Sequence, residues 1–222
     1  GCHGPRDRQR PAPAAVERPG PRVTPDQAGL LLTYSLVYFL VAFVWRSVHL
    51  WRNTGVNPMV LPFDDSAHGY VGRAMRFVLL GVLGVVLLFT FTPHLLAWLG
   101  PIVPLIRTEL RLLGWGLLLA SLVWIAVAQG AMGASWRIGI DRNNRTELIQ
   151  RGPFALSRNP IFLGMRVNLL GLFLVLPNAA TLAVFIAGEV LMQVQVRLEE
   201  AHLGSLHGAQ YDTYRQQVRR WL

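Results

Sequence analysis

The chain has 222 residues, of which 52% are hydrophobic, yet its formal net charge is +9. Mean hydropathy is +0.37, so apolar runs and basic residues must be segregated along the chain, a membrane signature rather than that of an ordinary soluble domain. All 21 basic residues are arginine and lie between apolar runs rather than on one soluble face, which argues against nucleic acid as a partner.

The absence of lysine reads as the codon bias of a GC-rich genome. Arginine stays charged in any environment and grips carboxylate or phosphate with a planar fork, so the polar segments suit anionic headgroups or an anionic cofactor. Cys2 is the only cysteine. It excludes an intrachain disulfide and a cysteine metal cluster, and no metal is expected.

Residues 1–27 are rich in Pro, Arg and Gly without apolar periodicity and read as a disordered tail, too polar to hold a signal peptide. Five apolar stretches then approach the roughly 20 residues a spanning helix needs. The first covers 28–48, with Tyr34, Tyr38 and Trp45 where interfacial aromatics belong. The second covers 75–99, before Pro101 and Pro104 break the chain. The third covers 110–132. The fourth, 160–176, and the fifth, 179–196, are separated only by Pro177 and Asn178, so they must be antiparallel neighbours. The expected fold is an all-α integral membrane bundle. It has three helices over 28–132, then a region 133–222 holding a loop, a helical hairpin and a cytoplasmic C-terminal helix.

The tight hairpin puts the segment after the third helix and the C-terminal tail on one side. Both carry arginines: Arg137, Arg142, Arg145, Arg151 and Arg158 in one, Arg215, Arg219 and Arg220 in the other. The positive-inside tendency makes that side cytoplasmic, in a multi-pass protein of a bacterial inner membrane. Five spans then place the N-terminus outside, against the arginines at positions 6, 8, 10, 18 and 22.

Polar residues invade the last two spans. Glu189, Gln193 and Arg197 recur every four residues and share a helical face, with Glu200 close by; Gln195, Glu199 and His202 form an adjacent row. Arg166 and Asn168 lie well inside the fourth helix, Arg166 about 9 Å from its start. A charge at the bilayer centre costs on the order of 3 kcal/mol, so these groups must meet one another, water or a ligand. As purely structural elements, Arg166 would snorkel or pair with Glu189, and the residues from Arg197 to Glu200 would form a solvated helix end.

The segment RTELIQRGPFALSRNPIFLG, a short helical hairpin and the segment RLEEAHLGSLHGAQYDTYRQQVRRW together carry three elements in order. These are a Gly-aromatic turn before an Arg-x-Pro run, a paired Glu, and a Gly-x-x-Tyr-x-x-Tyr run. In this they resemble the isoprenylcysteine carboxyl methyltransferase and phospholipid methyltransferase families of integral membrane enzymes, over about the last 90 residues. The preceding GASWRIGI is similar to the loop after the third helix of bacterial members. Asn159 stands where those families usually have His, and Phe162 where they usually have Tyr. Asn can donate and accept hydrogen bonds but not transfer a proton, and Phe keeps the ring without the hydroxyl.

The resemblance implies methyl transfer from S-adenosylmethionine (SAM) to a lipophilic or small apolar acceptor. It implies that Thr146, Glu147, Leu148 and Ile149 line the adenine side with Phe154 nearby. Asn159, Pro160, Ile161 and Phe162 would wall the cofactor where the fourth helix begins, and Glu199 would bind its amine or hold the loop over it. Gln195, or alternatively Arg197, would face the acceptor. No residue is assigned a catalytic role, because displacement at a sulfonium needs positioning and exclusion of water rather than a strong acid. Gly152 and Gly164 are expected to allow a tight turn and a close helix approach, and Tyr211 and Tyr214 to pack the C-terminal helix onto the site. Two other readings remain open: a membrane oxidoreductase similar to the sterol reductases that use NADPH, and a small transporter or scaffold.

Overall fold

A computed structural model describes residues 25–55, 65–133 and 147–222. The N-terminal tail, Thr146 and all but the first residue of GASWRIGI lie outside them. The described residues form α-helices joined by short 3-10 turns, with no strand among them. Four helices are long and apolar enough to cross a membrane, and a fifth is shorter.

Helix α1 (Pro25–Phe39) continues through a π-helical segment, Leu40–Trp45, into α2 (Arg46–Thr54), which ends at Gly55 in the left-handed region. The π segment re-aims backbone carbonyls out of the regular ladder. One of them, that of Ala42, accepts from Gln129 Nε2 at 2.7 Å. Arg46 Nη2 then donates to Gly133 O at 2.9 Å, so this break in helical register is joined to the end of the third span.

Helix α3 (Ala67–Phe91) opens with Ser66, whose side chain accepts from Gly69 N. It differs from the expected 75–99 at both ends. Ser66 supplies a cap that the apolar pattern does not reveal. Pro93 stops the helix before Pro101 is reached, starting the 3-10 segment Pro93–Leu99. After a second 3-10 turn, Val103–Leu105, helix α4 (Thr108–Met132) crosses back. Helix α5 (Pro160–Val175) and helix α6 (Ala179–His207) form the expected hairpin. At its turn Asn178 and Thr181 close a reciprocal capping box. Helix α6 runs well past the expected end at 196, and in this extension Glu200 is buried against the bundle by partners from other elements. Helix α7 (Ala209–Gln217) follows Gly208.

Helix α5 packs most extensively on α4, and glycines set that approach. A Cβ on Gly164 would collide with Ile125, and one on Gly171 would meet Gly114 O at 2.9 Å. Within the bundle Tyr34 donates to Leu118 O at 2.8 Å and to Asn168 Oδ1 at 2.5 Å, and Ser121 also reaches that amide at 3.2 Å. Asn168 is therefore a clamp between three helices. The outer surface is apolar, with Phe77, Phe91 and Trp98 at 74%, 68% and 85% exposure, as suits contact with lipid rather than water. Four candidate spans on this scaffold support a multi-pass membrane protein.

The helices alternate in direction. One end of the bundle gathers Thr54, Ala67, Met132, Pro160 and His207; the far end gathers Pro25, Phe91, Thr108, Val175 and Ala179.

Candidate functional site

Helix α5 has 16 residues, about 24 Å of helix, and falls short of the roughly 30 Å of a hydrocarbon core. Its far end is level with the start of α4, through the Gly114 and Gly171 contact, so the deficit lies at the other end. There Pro160 O accepts from Trp124 Nε1 at 2.8 Å, while α4 continues to Met132. Those further turns extend about 12 Å beyond Trp124. The start of α5 is thus recessed beside α4. The chain descends to it along α4 through the 3-10 turn Gly152–Ala155, where Gly152 has φ +61.

Glu200 lies beside the start of α5, 8% exposed. Asn159 Nδ2 donates to its Oε1 at 2.9 Å. Arg158 donates to the same oxygen through Nε at 3.3 Å and Nη2 at 3.2 Å, and Arg220 grips the carboxylate through Nε at 3.1 Å and Nη2 at 2.8 Å. One anion accepting from two guanidiniums and an amide is a stable way to bury charge, because each lone pair is met. Hydrogen bonding to Glu200 holds the Arg220 pKa above the ordinary arginine value.

The C-terminal tail completes the knot. Arg158 N donates to Arg219 O at 2.9 Å, Arg158 Nη1 to Val218 O at 2.8 Å, and Ser157 Oγ to Arg220 O at 3.1 Å. The Tyr214 hydroxyl reaches Phe154 O at 2.6 Å, tying α7 to the descending turn. Both Tyr211 and Tyr214 are buried, as expected of residues that pack α7 onto the site. Burial first, and the Glu200 charge second, push the Tyr211 hydroxyl up to about 12. It stays protonated as a donor at physiological pH. It is 2% exposed and finds no hydrogen-bond partner among the described residues.

Beside the knot runs a polar ladder. Arg166 Nε meets Glu189 Oε2 at 2.6 Å, Glu189 Oε1 accepts from Gln193 Nε2 at 2.9 Å, and Gln193 Oε1 accepts from Arg197 Nη1 at 2.9 Å. The Arg166 guanidinium also lies 4.2 Å from the Trp221 ring centroid, a cation–π arrangement. The pair Arg166 and Glu189 is about one quarter exposed, so it can still meet a ligand.

The structure brings some sequence candidates together and separates others. Asn159 and Pro160 are buried, Ile161 and Phe162 half-buried; the Asn159 amide is committed to Glu200 rather than Glu199. Ile149 is buried, Leu148 and Phe154 half-buried, and Glu147 exposed. Gln195 is half-buried and Arg197 exposed on α6. Thr146 lies outside the described residues. Glu199 is half-buried with no hydrogen-bond or ion-pair partner among the described residues.

Sequence reasoning did not single out Glu200, Arg158 or Arg220 as the centre of this region. A signal existed. Gly188, Met192, Val196 and Glu200 are the buried positions of α6 at successive intervals of four, so Glu200 continues the stripe that faces the bundle.

Residues 110–210 match the family model described as phospholipid methyltransferase. The match runs from α4 into α7 and includes Arg158, Asn159, Glu199 and Glu200. It bears out the resemblance drawn from the sequence and supports a membrane methyltransferase. No curated protein and no solved structure matches the chain.

Proposed function

We propose that the protein transfers a methyl group from SAM to a lipophilic or small apolar acceptor, at the recess where α5 begins. The observation that carries this reading is a difference between two adjacent carboxylates. Glu200 is saturated by Arg158, Asn159 and Arg220, whereas Glu199 has no hydrogen-bond or ion-pair partner among the described residues. A free, half-buried carboxylate at a membrane edge suits an ammonium group, which is what the amino acid end of SAM presents. The unpartnered Tyr211 hydroxyl is a donor of the kind that SAM's carboxylate or ribose would accept.

In this reading Glu199 holds the amine, and Glu147, Leu148, Ile149 and Phe154 line the adenine. Asn159, Pro160, Ile161 and Phe162 form the wall on which the reacting carbon is positioned. SAM supplies a methyl group on a sulfonium whose positive charge disappears on transfer. The chain's own residues orient the two reactants and exclude water. The ladder from Arg166 through Glu189 and Gln193 to Arg197 is the lateral approach for the acceptor.

Leaving aside the arginines at positions 6, 8, 10, 18 and 22, which lie outside the described residues, the recess end carries Arg52, Arg73, Arg76, Arg151, Arg158, Arg215, Arg219 and Arg220 against Arg107 and Arg111 at the far end. By the positive-inside tendency it faces the cytoplasm, where SAM arrives from water while the acceptor arrives from lipid. The test is incubation of the purified protein in lipid extract with methyl-labelled SAM. The reading expects label in an extractable lipid or apolar thiol. Label that stays in SAM over many candidate acceptors, with no binding of S-adenosylhomocysteine, would contradict it.

A further inference from the structure

A cavity of about 260 Å³ opens at the far end of the bundle, lined by residues from α1, α3, α4 and the α5–α6 turn. About 24 Å of α5 separates it from the recess. Its walls are held by backbone bonds, since Ile102 N donates to Pro177 O and Ala179 N to Gly100 O, both at 2.9 Å. The lining is mostly apolar, with Phe89, Leu96, Leu105 and Trp115, and it also includes Gln27, Thr108 and Asn178 and the two arginines Arg107 and Arg111.

Arg111 and Trp115 share one face of the start of α4, with Glu109 on another, and Arg107 is the residue that caps the helix; all three of Arg107, Arg111 and Trp115 line the cavity. Arg107 uses Nε on Pro104 O at 3.0 Å, leaving its two terminal nitrogens. The Arg111 guanidinium has neither hydrogen-bond nor ion-pair partner among the described residues. Around the opening the surface is greasy, with Phe91, Trp98, Val103 and Ile106 exposed. Two guanidinium groups beside an apolar hollow, bordered by lipid-facing aromatics, match an amphiphile with a negative head and apolar tails.

We propose that this cavity is a binding site for an anionic phospholipid. The phosphate sits on Arg107 and Arg111, the glycerol region enters the hollow, and the acyl chains lie over the exposed aromatic residues. The site is separate from the methyl acceptor's and does not depend on the function proposed above.

The test is native mass spectrometry of the full chain released from nanodiscs of phosphatidylcholine with a minor fraction of phosphatidylglycerol of identical acyl chains. The expected result is retained phosphatidylglycerol, enriched on the order of tenfold over its bilayer share. The enrichment should vanish in Arg107→Ala/Arg111→Ala, and also in Leu105→Trp, which fills the hollow but keeps both charges. Absence of enrichment in the wild type overturns the proposal. Enrichment that survives Leu105→Trp reduces the arginines to surface charge and overturns it too. Displacement of the lipid by millimolar inorganic phosphate would show a site for a free anion instead.

Discussion

The side-chain amide of Asn159 donates to Glu200 Oε1 at 2.9 Å, joining the residue before α5 to the buried stripe of α6. Asn159 thereby serves as a donor to a fixed anion, a role that a histidine N–H at the same position could also fill.

Substitution there should follow that donor. Asn159→Ala removes a hydrogen bond to a charged group and should cost about 2 kcal/mol of stability, whereas Asn159→His should recover most of it. Glu200→Ala leaves Arg158 and Arg220 facing each other and should cost about 3 kcal/mol, near the low end for a broken buried pair because Arg220 is 33% exposed. Thermal unfolding of the detergent-solubilised protein measures both. A milder effect for Glu200→Ala than for Asn159→Ala would contradict the arrangement.

Glycine substitutions should separate close helix approach from mere helix content. A Cβ at Gly164 collides with Ile125, while one at Gly84 meets nothing within 4 Å. Gly164→Ala should destabilise by about 1–3 kcal/mol through overpacking. Gly84→Ala should be neutral or gain about 0.5 kcal/mol of helix propensity. Similar melting temperatures for the two variants would show that α4 and α5 do not depend on this contact.

The chain has no lysine, so tyrosine dominates its titration above pH 9. Tyr211 is held neutral up to about 12, while an unfolded tyrosine ionises near about 10. Docking of α7 should therefore be fully stable below about pH 10 and weaken as the pH rises through about 12. Trp221 fluorescence during alkaline titration reads this, because its ring packs on Arg166 only while the tail is docked. Tyr211→Phe should move the change to higher pH; an unaltered midpoint would assign it to another group.

Much of the fold was legible because a bilayer makes hydropathy decisive: the five apolar stretches became helices, four of them long enough to cross a membrane, and Pro177 with Asn178 gave the hairpin. The ends were less so. The cap at Ser66 and the stop at Pro93 are single-residue events beneath a continuous apolar signal, and the polar turns of α6 beyond Val196 are helical because Glu200 is buried by partners distant in sequence. For the site, the pattern from Arg158 to Phe162 and the paired glutamates led to the residues that gather around Glu200. Which glutamate is saturated depends on Arg220, twenty residues further on, whose approach requires α7 to fold back; local spacing does not encode that return.

In the function we propose, Glu199 is the carboxylate that meets the ammonium end of SAM. Calorimetric titration of the purified protein with S-adenosylhomocysteine, for the wild type, Glu199→Ala and Glu189→Ala, tests it most directly. The account predicts binding by the wild type, at least tenfold weakening in Glu199→Ala with an unchanged melting temperature, and a smaller effect in Glu189→Ala. No detectable binding by the wild type at millimolar ligand, or equal losses in the two variants, would contradict it.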